Sequence, residues 1–287
     1  MDIVETAVAL HARLSDCASI AFVPTMGNLH SGHLQLVRRA HDAARTVVAS
    51  IFVNRLQFGP HEDFDRYPRT FAADCAALRD ARVDVLFAPR DDEMYPSPQQ
   101  FRVATPPLAA ELEGAFRPGF FEGVATVVLK LFNLVQPDAA VFGAKDRQQL
   151  EILRGMVREF NLPIDIIEAP TVRADDGLAL SSRNAYLSPS ERQQAPQLHR
   201  ALESVVRALR GADHAYERLE RDAQAALTAQ GWKVDYVAVR LRAALARPQR
   251  AEPPQALAVL AAATLGGTRL IDNIAVGDDS PADGVAA

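Results

Sequence analysis

The chain has 287 residues, 36 acidic against 31 basic side chains, and 48% apolar residues. That length supports one large domain or two modest ones with a proper core, and the composition excludes a disordered, collagen-like or coiled-coil protein. A formal net charge of -5 gives no general attraction to nucleic acid or to an anionic membrane, so any anion site has to be local.

The N-terminus carries Asp2 and Glu5 where a signal peptide needs positive charge, and no apolar core follows. From there to about residue 170, short apolar runs alternate with helical segments. The runs are Ile20–Val23, Val47–Val53, Val83–Ala88, Ala139–Phe142 and Ile164–Glu168. They are brief, continuous and rich in β-branched or aromatic side chains, which predicts strands buried on both faces of a parallel sheet. Helices are predicted between them at 32–44, 70–81, 122–135 and 145–160. Strand alternating with helix gives right-handed crossovers and a doubly wound sheet. Ligands then bind beyond the carboxyl ends of the strands.

The pattern changes near Thr171. Two amphipathic helices are predicted at 190–210 and 214–230, followed by an alternating strand over Val234–Arg240 and apolar runs at 257–263 and 268–276. Helices followed by strands predict a smaller α+β domain. Arg247–Pro254 reads as a loop, and the last ten residues, with Asp278, Asp279, Pro281 and Gly284, are expected to fray. The boundary is placed at 173/174, giving domains 1–173 and 174–287. The longest apolar run, Ala256–Leu265, is far short of the ~20 residues needed to span a bilayer. Cys17 and Cys75 cannot make a disulfide framework or a four-thiolate zinc site. A cytoplasmic protein is the expectation.

Chemistry is therefore sought after each run. The first is followed by Pro24-Thr25-Met26-Gly27-Asn28-Leu29-His30-Ser31-Gly32-His33 and a helix. Glycines allow a tight turn, and the N–H groups of a helix start form an anion site. His30 and His33 share a face of the first helical turn and can donate hydrogen bonds to a phosphate. Surface histidines on an ordinary strand–turn–helix, and a zinc site, are the competing readings. The second run delivers Asn54 and Gln57, neutral amides suited to a small polar substrate. The charges downstream, Glu62 to Arg69, are read mostly as solvated or capping groups, and Asp74 lies on the next helix. One carboxylate in this stretch can hold Mg²⁺ through water. The fourth run delivers Gly143-Ala144-Lys145-Asp146-Arg147-Gln148-Gln149. A lysine at a strand-to-helix turn reaches phosphate, and Gln149 lies one helical turn beyond it. The last cluster, Leu180-Ser181-Ser182-Arg183, is a donor-rich loop suited to polyphosphate, and Ser188, Pro189 and Glu191 signal a helix start just after it.

In order, PTMGNLHSGH, SIFVN with its downstream QFG, EDFDRYPRT, FEGVATVVLKLFNLVQPD, KD-x-QQ and DGLALSSRNAYLS resemble the pantoate–β-alanine ligases, the pantothenate synthetase family of the nucleotidyltransferase superfamily. The match runs through residues 22–188, with a weaker one at RLIDNI near the C-terminus. The resemblance implies a Rossmann-like α/β fold with a doubly wound parallel sheet and a smaller α+β C-terminal domain closing over the nucleotide. It also implies adenylation of pantoate by ATP, attack of β-alanine on the acyl adenylate, a Mg²⁺ requirement and a homodimer. By resemblance, Met26, Gly27, Asn28, Leu29, His30, Ser31, Gly32 and His33 bind ATP, with His33 as proton donor. So do Gly143, Ala144, Lys145, Asp146, Val172, Leu180, Ser181, Ser182 and Arg183. His30, His33, Lys145 and Arg183 are the expected catalytic groups; Gln57, Gln149 and Asn54 hold the substrates, and Asp74 is associated with the metal.

The chain departs from the family pattern at Arg55, Ala73, Ala144 and Arg147, where proline, an acidic residue, glutamate and an aromatic are frequent. Two other functions stay open on the residues alone. One is adenylylation of a phosphorylated cofactor precursor, which needs extra cations for the acceptor phosphate; the neutral pair Gln57 and Gln149 argues against it. The other is a nucleotide sensor without turnover, to which only Ala144 points.

Overall fold

Residues 1–60 and 62–277 are described by the computed structural model, and the terminal segment expected to fray lies outside them. The chain forms two compact units, one of Met1–Ala144 with Gln148–Ala169 and one of Lys145–Arg147 with Pro170 onward.

The first unit contains, in chain order, β1 (Asp2–Val4), α1 (Ala7–Leu14), β2 (Ile20–Thr25), α2 (Ser31–Ala43), β3 (Thr46–Ile51), α3 (Phe71–Asp80), β4 (Val85–Phe87), α4 (Asp91–Met94), α5 (Glu113–Phe116), α6 (Phe120–Val135), β5 (Ala139–Gly143), α7 (Arg147–Glu159) and β6 (Asp165–Ala169). Its sheet has the order β1-β4-β3-β2-β5-β6, and every pairing is parallel. Both faces are covered. Phe22, Val48 and Phe87 pack with Val124, Val128 and Phe132 of α6 on one side. Ala21, Val23, Val47 and Ala49 pack with Leu36 and Val37 of α2 and Leu78 of α3 on the other. Successive side chains of a strand point to opposite faces, so a strand buried on both reads as an unbroken apolar run.

Chain order reverses between β2 and β5, and this switch point opens the crevice. The β2–β5 pairing ends at Phe22↔Ala140, whereas β2–β3 pairing continues to Thr25↔Ile51. Pro24, the second residue beyond Phe22, has no N–H to extend a ladder. The segments after β2, β3 and β5 therefore leave the same edge of the sheet.

The second unit contains α8 (Pro189–Gln194), α9 (Gln197–Arg210), α10 (Tyr216–Ala229), β7 (Lys233–Leu241), β8 (Leu257–Leu265) and β9 (Thr268–Ala275). Its strands form an antiparallel sheet in the order β7-β8-β9. Leu198, Leu202, Val205 and Leu209 of α9 and Leu219 and Leu227 of α10 bury their apolar stripes against Val237, Val259 and Ala261.

Three local differences from the sequence reading have physical causes. β1 and α1 were not predicted; β1 is a three-residue edge strand that pairs only with β4, too short to show a period. The predicted helix 190–210 is two helices, because Pro196 cannot supply the N–H that would carry α8 into α9. The predicted helix at 145–160 begins as a 3₁₀ turn over Ala144–Asp146. Among the described residues no helix is long and apolar enough to cross a membrane.

Candidate active site

The turn after β2 is built by backbone conformation and one buried carboxylate. Gly27 and Asn28 both have positive φ, +82° and +50°. A Cβ on Gly27 would stand 3.0 Å from Asp74 Oδ2, so glycine is needed for space as well as for φ. Asp74, in the first turn of α3 and 3% exposed, accepts the N–H of Asn28 (2.9 Å) and of Leu29 (2.8 Å), and the hydroxyl of Thr70 (3.1 Å). The carboxylate thus clamps the turn that presents the start of α2.

That helix start is closed by two histidines in a reciprocal cap. His30 Nδ1 accepts from the Gly32 N–H at 3.2 Å, and His33 Nδ1 accepts from the His30 N–H at 3.3 Å. The rings lie 4.1 Å apart, centroid to centroid, tilted by 42°. Because both Nδ1 atoms accept backbone hydrogens, the network assigns the ring proton of each neutral imidazole to Nε2. Two imidazole rings thus lie together at the positive end of a helix, an arrangement that favours phosphate.

The turn after β3 is a hydrogen-bonded unit. Asn54 is 1% exposed, and both ends of its amide are engaged. Its Oδ1 accepts from Tyr95 Oη (2.8 Å) and the Leu56 N–H (3.3 Å), and its Nδ2 donates to Gln57 Oε1 (3.0 Å) and the Gly123 carbonyl (3.1 Å). Asn54, expected among the substrate contacts, therefore holds Gln57 in place. Gln57 Nε2 lies 3.2 Å from Met26 Sδ, joining this turn to the one after β2. Gly123 allows the approach of α6: a Cβ there would stand 2.2 Å from the Leu56 carbonyl oxygen and 2.7 Å from the Gln57 nitrogen. Backbone atoms cannot yield as side chains do. Gly123→Ala is expected to cost about 1–3 kcal/mol of overpacking, which urea denaturation checks.

Among the charges read as mostly solvated, Asp65, Arg66 and Arg69 are exposed, whereas Glu62 is held in an ion pair. Arg117 grips Glu62 with two bonds, Nε–Oε1 at 2.8 Å and Nη2–Oε2 at 2.6 Å, with both side chains largely covered. Arg117 Nη2 also donates to the Gln57 carbonyl at 3.4 Å. Arg55, which replaces a frequent proline, lies over the Phe64 ring at 4.6 Å.

The two glutamines that follow β5 have different uses. Gln148 is buried; it accepts from the Glu113 N–H and donates to the carbonyls of Leu108 and Glu111. Gln149 is partly exposed and its side-chain amide makes no hydrogen bond among the described residues, so that amide is available to a ligand.

In the second unit, Asn273 Nδ2 donates to the Lys145 carbonyl at 2.9 Å, which fixes the backbone that carries the lysine. Buried Arg147 donates to the Arg242 carbonyl at 3.2 Å. Val172 and Leu180 face each other through Leu180 N–H to Val172 O, 2.9 Å, and Arg173 bridges to Ala179. Ser181 caps the 3₁₀ turn Ser182–Tyr186 by accepting from the Arg183 N–H at 3.2 Å. The hairpin that leads into this turn is fastened by Arg173 to Asp272, at 2.7 and 2.8 Å, with His199 Nδ1 3.2 Å from the same carboxylate. Sequence reasoning singled out none of Arg173, His199, Asp272, Asn273, Tyr95 or Gly123 as site-building residues. The RLIDNI match and a glycine inside an apolar helix were the only signals on offer.

A family model for pantoate-beta-alanine ligase matches residues 2–275. The pantothenate synthetase of Thiobacillus denitrificans is 56% identical over 288 residues, covering 100% of both chains, and that of Nitrosospira multiformis is 53% identical over 276 residues, covering 96% of this chain and 98% of its own. Among solved structures, a pantothenate synthetase of Thermus thermophilus superposes with a TM-score of 0.90 at 47% identity, covering 96% of this chain and 99% of that one. The pantoate-beta-alanine ligase of Francisella tularensis, complexed with beta-gamma ATP and beta-alanine, gives 0.81 at 32% identity, covering 97% and 98%.

Proposed function

The chain belongs to the pantoate–β-alanine ligase family, and on that premise we propose that Met26–His33 takes the triphosphate of ATP while Gln57 and Gln149 take pantoate. The reaction is the ATP-dependent condensation of pantoate with β-alanine. In its first step a pantoate carboxylate oxygen attacks the α-phosphorus, the bond to the bridging oxygen breaks, and pyrophosphate leaves. In the second the β-alanine amine attacks the acyl carbon, AMP departs with its oxygen, and the amine loses a proton. Negative charge builds on the phosphate oxygens in the first step, so catalysis rests on positioned donors. In this reading His30 and His33 present Nε2–H to the phosphates at the N-terminus of α2, with His33 the proton donor.

Lys145 and Arg183 supply the further positive charge, and Gly143–Asp146, Val172 and Leu180–Ser182 complete the nucleotide contacts; the ordered family motifs support these assignments. They also support residues 1–173 as the ATP- and pantoate-binding domain, 174–287 as the smaller domain, and a cytoplasmic homodimer, which sedimentation will check. With both oxygens holding the turn, Asp74 suits a link to Mg²⁺ through water rather than direct ligation. No group of three His, Cys, Asp or Glu side chains suited to a metal exists among the described residues. Mg²⁺ in this proposal is bound to the phosphate oxygens of ATP and water, with no step routed through Asp74.

The observation that carries the reading is the contact between Gln57 and Met26, which sets a neutral amide against the phosphate-binding turn. A phosphorylated acceptor would call for cations there. The test is exchange of labelled pyrophosphate into ATP without β-alanine. It is expected to require pantoate; exchange that proceeds equally without pantoate overturns the proposal.

A further inference from the structure

We infer that Tyr95 is a positioning residue for the pantoate site, acting through Asn54 to fix which end of the Gln57 amide faces the substrate. The inference rests on the assignment of Gln57 to pantoate. Its basis is a chain of donors and acceptors with one self-consistent direction. A backbone N–H can only donate and a carbonyl can only accept. The Leu56 N–H at one end of the Asn54 amide and the Gly123 carbonyl at the other therefore assign Oδ1 and Nδ2 unambiguously. The Tyr95 hydroxyl, 2.8 Å from Oδ1, must then be the donor. Asn54 Nδ2 must donate to Gln57 Oε1, 3.0 Å away, and Gln57 is left with its NH₂ toward Met26 and the crevice. A carboxylate or hydroxyl oxygen is accepted there, whereas an ammonium would meet another donor.

Tyr95 is well placed to hold this chain because it is itself held. It follows α4 at the end of the connection from β4, its ring lies 6.0 Å from Phe52, and Lys130 Nζ sits 4.7 Å above it. Burial pushes its hydroxyl pKa up to about 12, so it remains a donor throughout the working pH range. Without that hydroxyl, Asn54 Oδ1 keeps only the 3.3 Å bond from the Leu56 N–H, and the buried acceptor is under-satisfied.

The experiment measures KM for pantoate and for ATP, with turnover, in the pyrophosphate exchange reaction. Tyr95→Phe keeps the ring and removes the donor. It is expected to raise KM for pantoate about tenfold, with KM for ATP unchanged. Gln57→Leu raises KM for pantoate on its own, and adding Tyr95→Phe to it is expected to change KM by less than about twofold, because coupled sites are not additive. Lys130→Met removes the cation above the ring but leaves the hydroxyl; KM for pantoate is expected to stay at the wild-type value. An unchanged KM in Tyr95→Phe, independent effects in the double variant, or an equal rise in Lys130→Met overturns the relay. A normal KM in Gln57→Leu overturns instead the assignment of Gln57 on which it stands.

Discussion

Replacing His33 with alanine is expected to lower the rate of pantoyl-adenylate formation about 10²–10³-fold, the scale for losing one positioned donor to a charge that develops in the transition state. The side chain has two jobs, and the experiment has to separate them. Its Nδ1 closes the cap of α2 by accepting the His30 N–H, and its Nε2–H is the donor assigned to phosphate. Losing a helix cap alone costs about 0.5–2 kcal/mol of stability, which denaturation detects. Glutamine in the third helical position is an ordinary capping-box residue, so His33→Gln is expected to recover the stability lost in His33→Ala while turnover stays low. Single-turnover formation of the adenylate at saturating ATP and pantoate gives the rate directly. Near-normal rates in His33→Ala, or recovery of rate along with stability in His33→Gln, would falsify the catalytic assignment and leave His33 as a cap.

What could be read from the chain was local. The strands of the first sheet are legible because burial on both faces erases alternation: Ala21 and Phe22 are neighbours on opposite sides, both at 0% exposure. The histidine turn is legible because its parts lie within eight residues, and the fold returns them as a single capped helix start. The supports were hidden because their partners are distant in sequence. Tyr95 reaches Asn54 across 41 residues and Arg173 reaches Asp272 across 99. No periodicity records such pairs. Gln148 and Gln149 illustrate the same limit in adjacent positions, since only the packing of 108–113 against α7 shows which amide is already taken. Asp74 is singled out only by the resemblance, as a metal-associated carboxylate; that it also accepts the Asn28 and Leu29 N–H groups, 46 and 45 residues away, could not be read from the sequence.

Asp272→Ala is expected to destabilise the protein by about 3–5 kcal/mol, because removing one member of a buried ion pair leaves its partner's charge uncompensated. The carboxylate is 4% exposed and accepts both terminal nitrogens of Arg173 as well as His199 Nδ1 and the Asn273 N–H. Arg173, with the same guanidinium, also donates to the carbonyls of Gly177 and Asn273. The pair therefore fastens the hairpin leading to Ser181–Arg183 onto the strand whose Asn273 holds the Lys145 carbonyl. Burial pushes the Asp272 carboxyl up, but hydrogen bonds from His199 and Arg173 and the Arg173 charge outweigh it and hold the pKa below the ordinary carboxylate value. A depressed pKa contributes stability that is complete above the unfolded-state carboxylate range and is lost as pH falls through the folded-state value. Asp272→Asn keeps the shape and removes the charge, so the difference between it and the wild type is expected to be largest near neutral pH and to shrink once pH falls below about 4. Urea midpoints across that range measure it. A gap that stays constant with pH would show that Asp272 acts by packing alone; a gap that closes on acidification identifies the charge as the fastening.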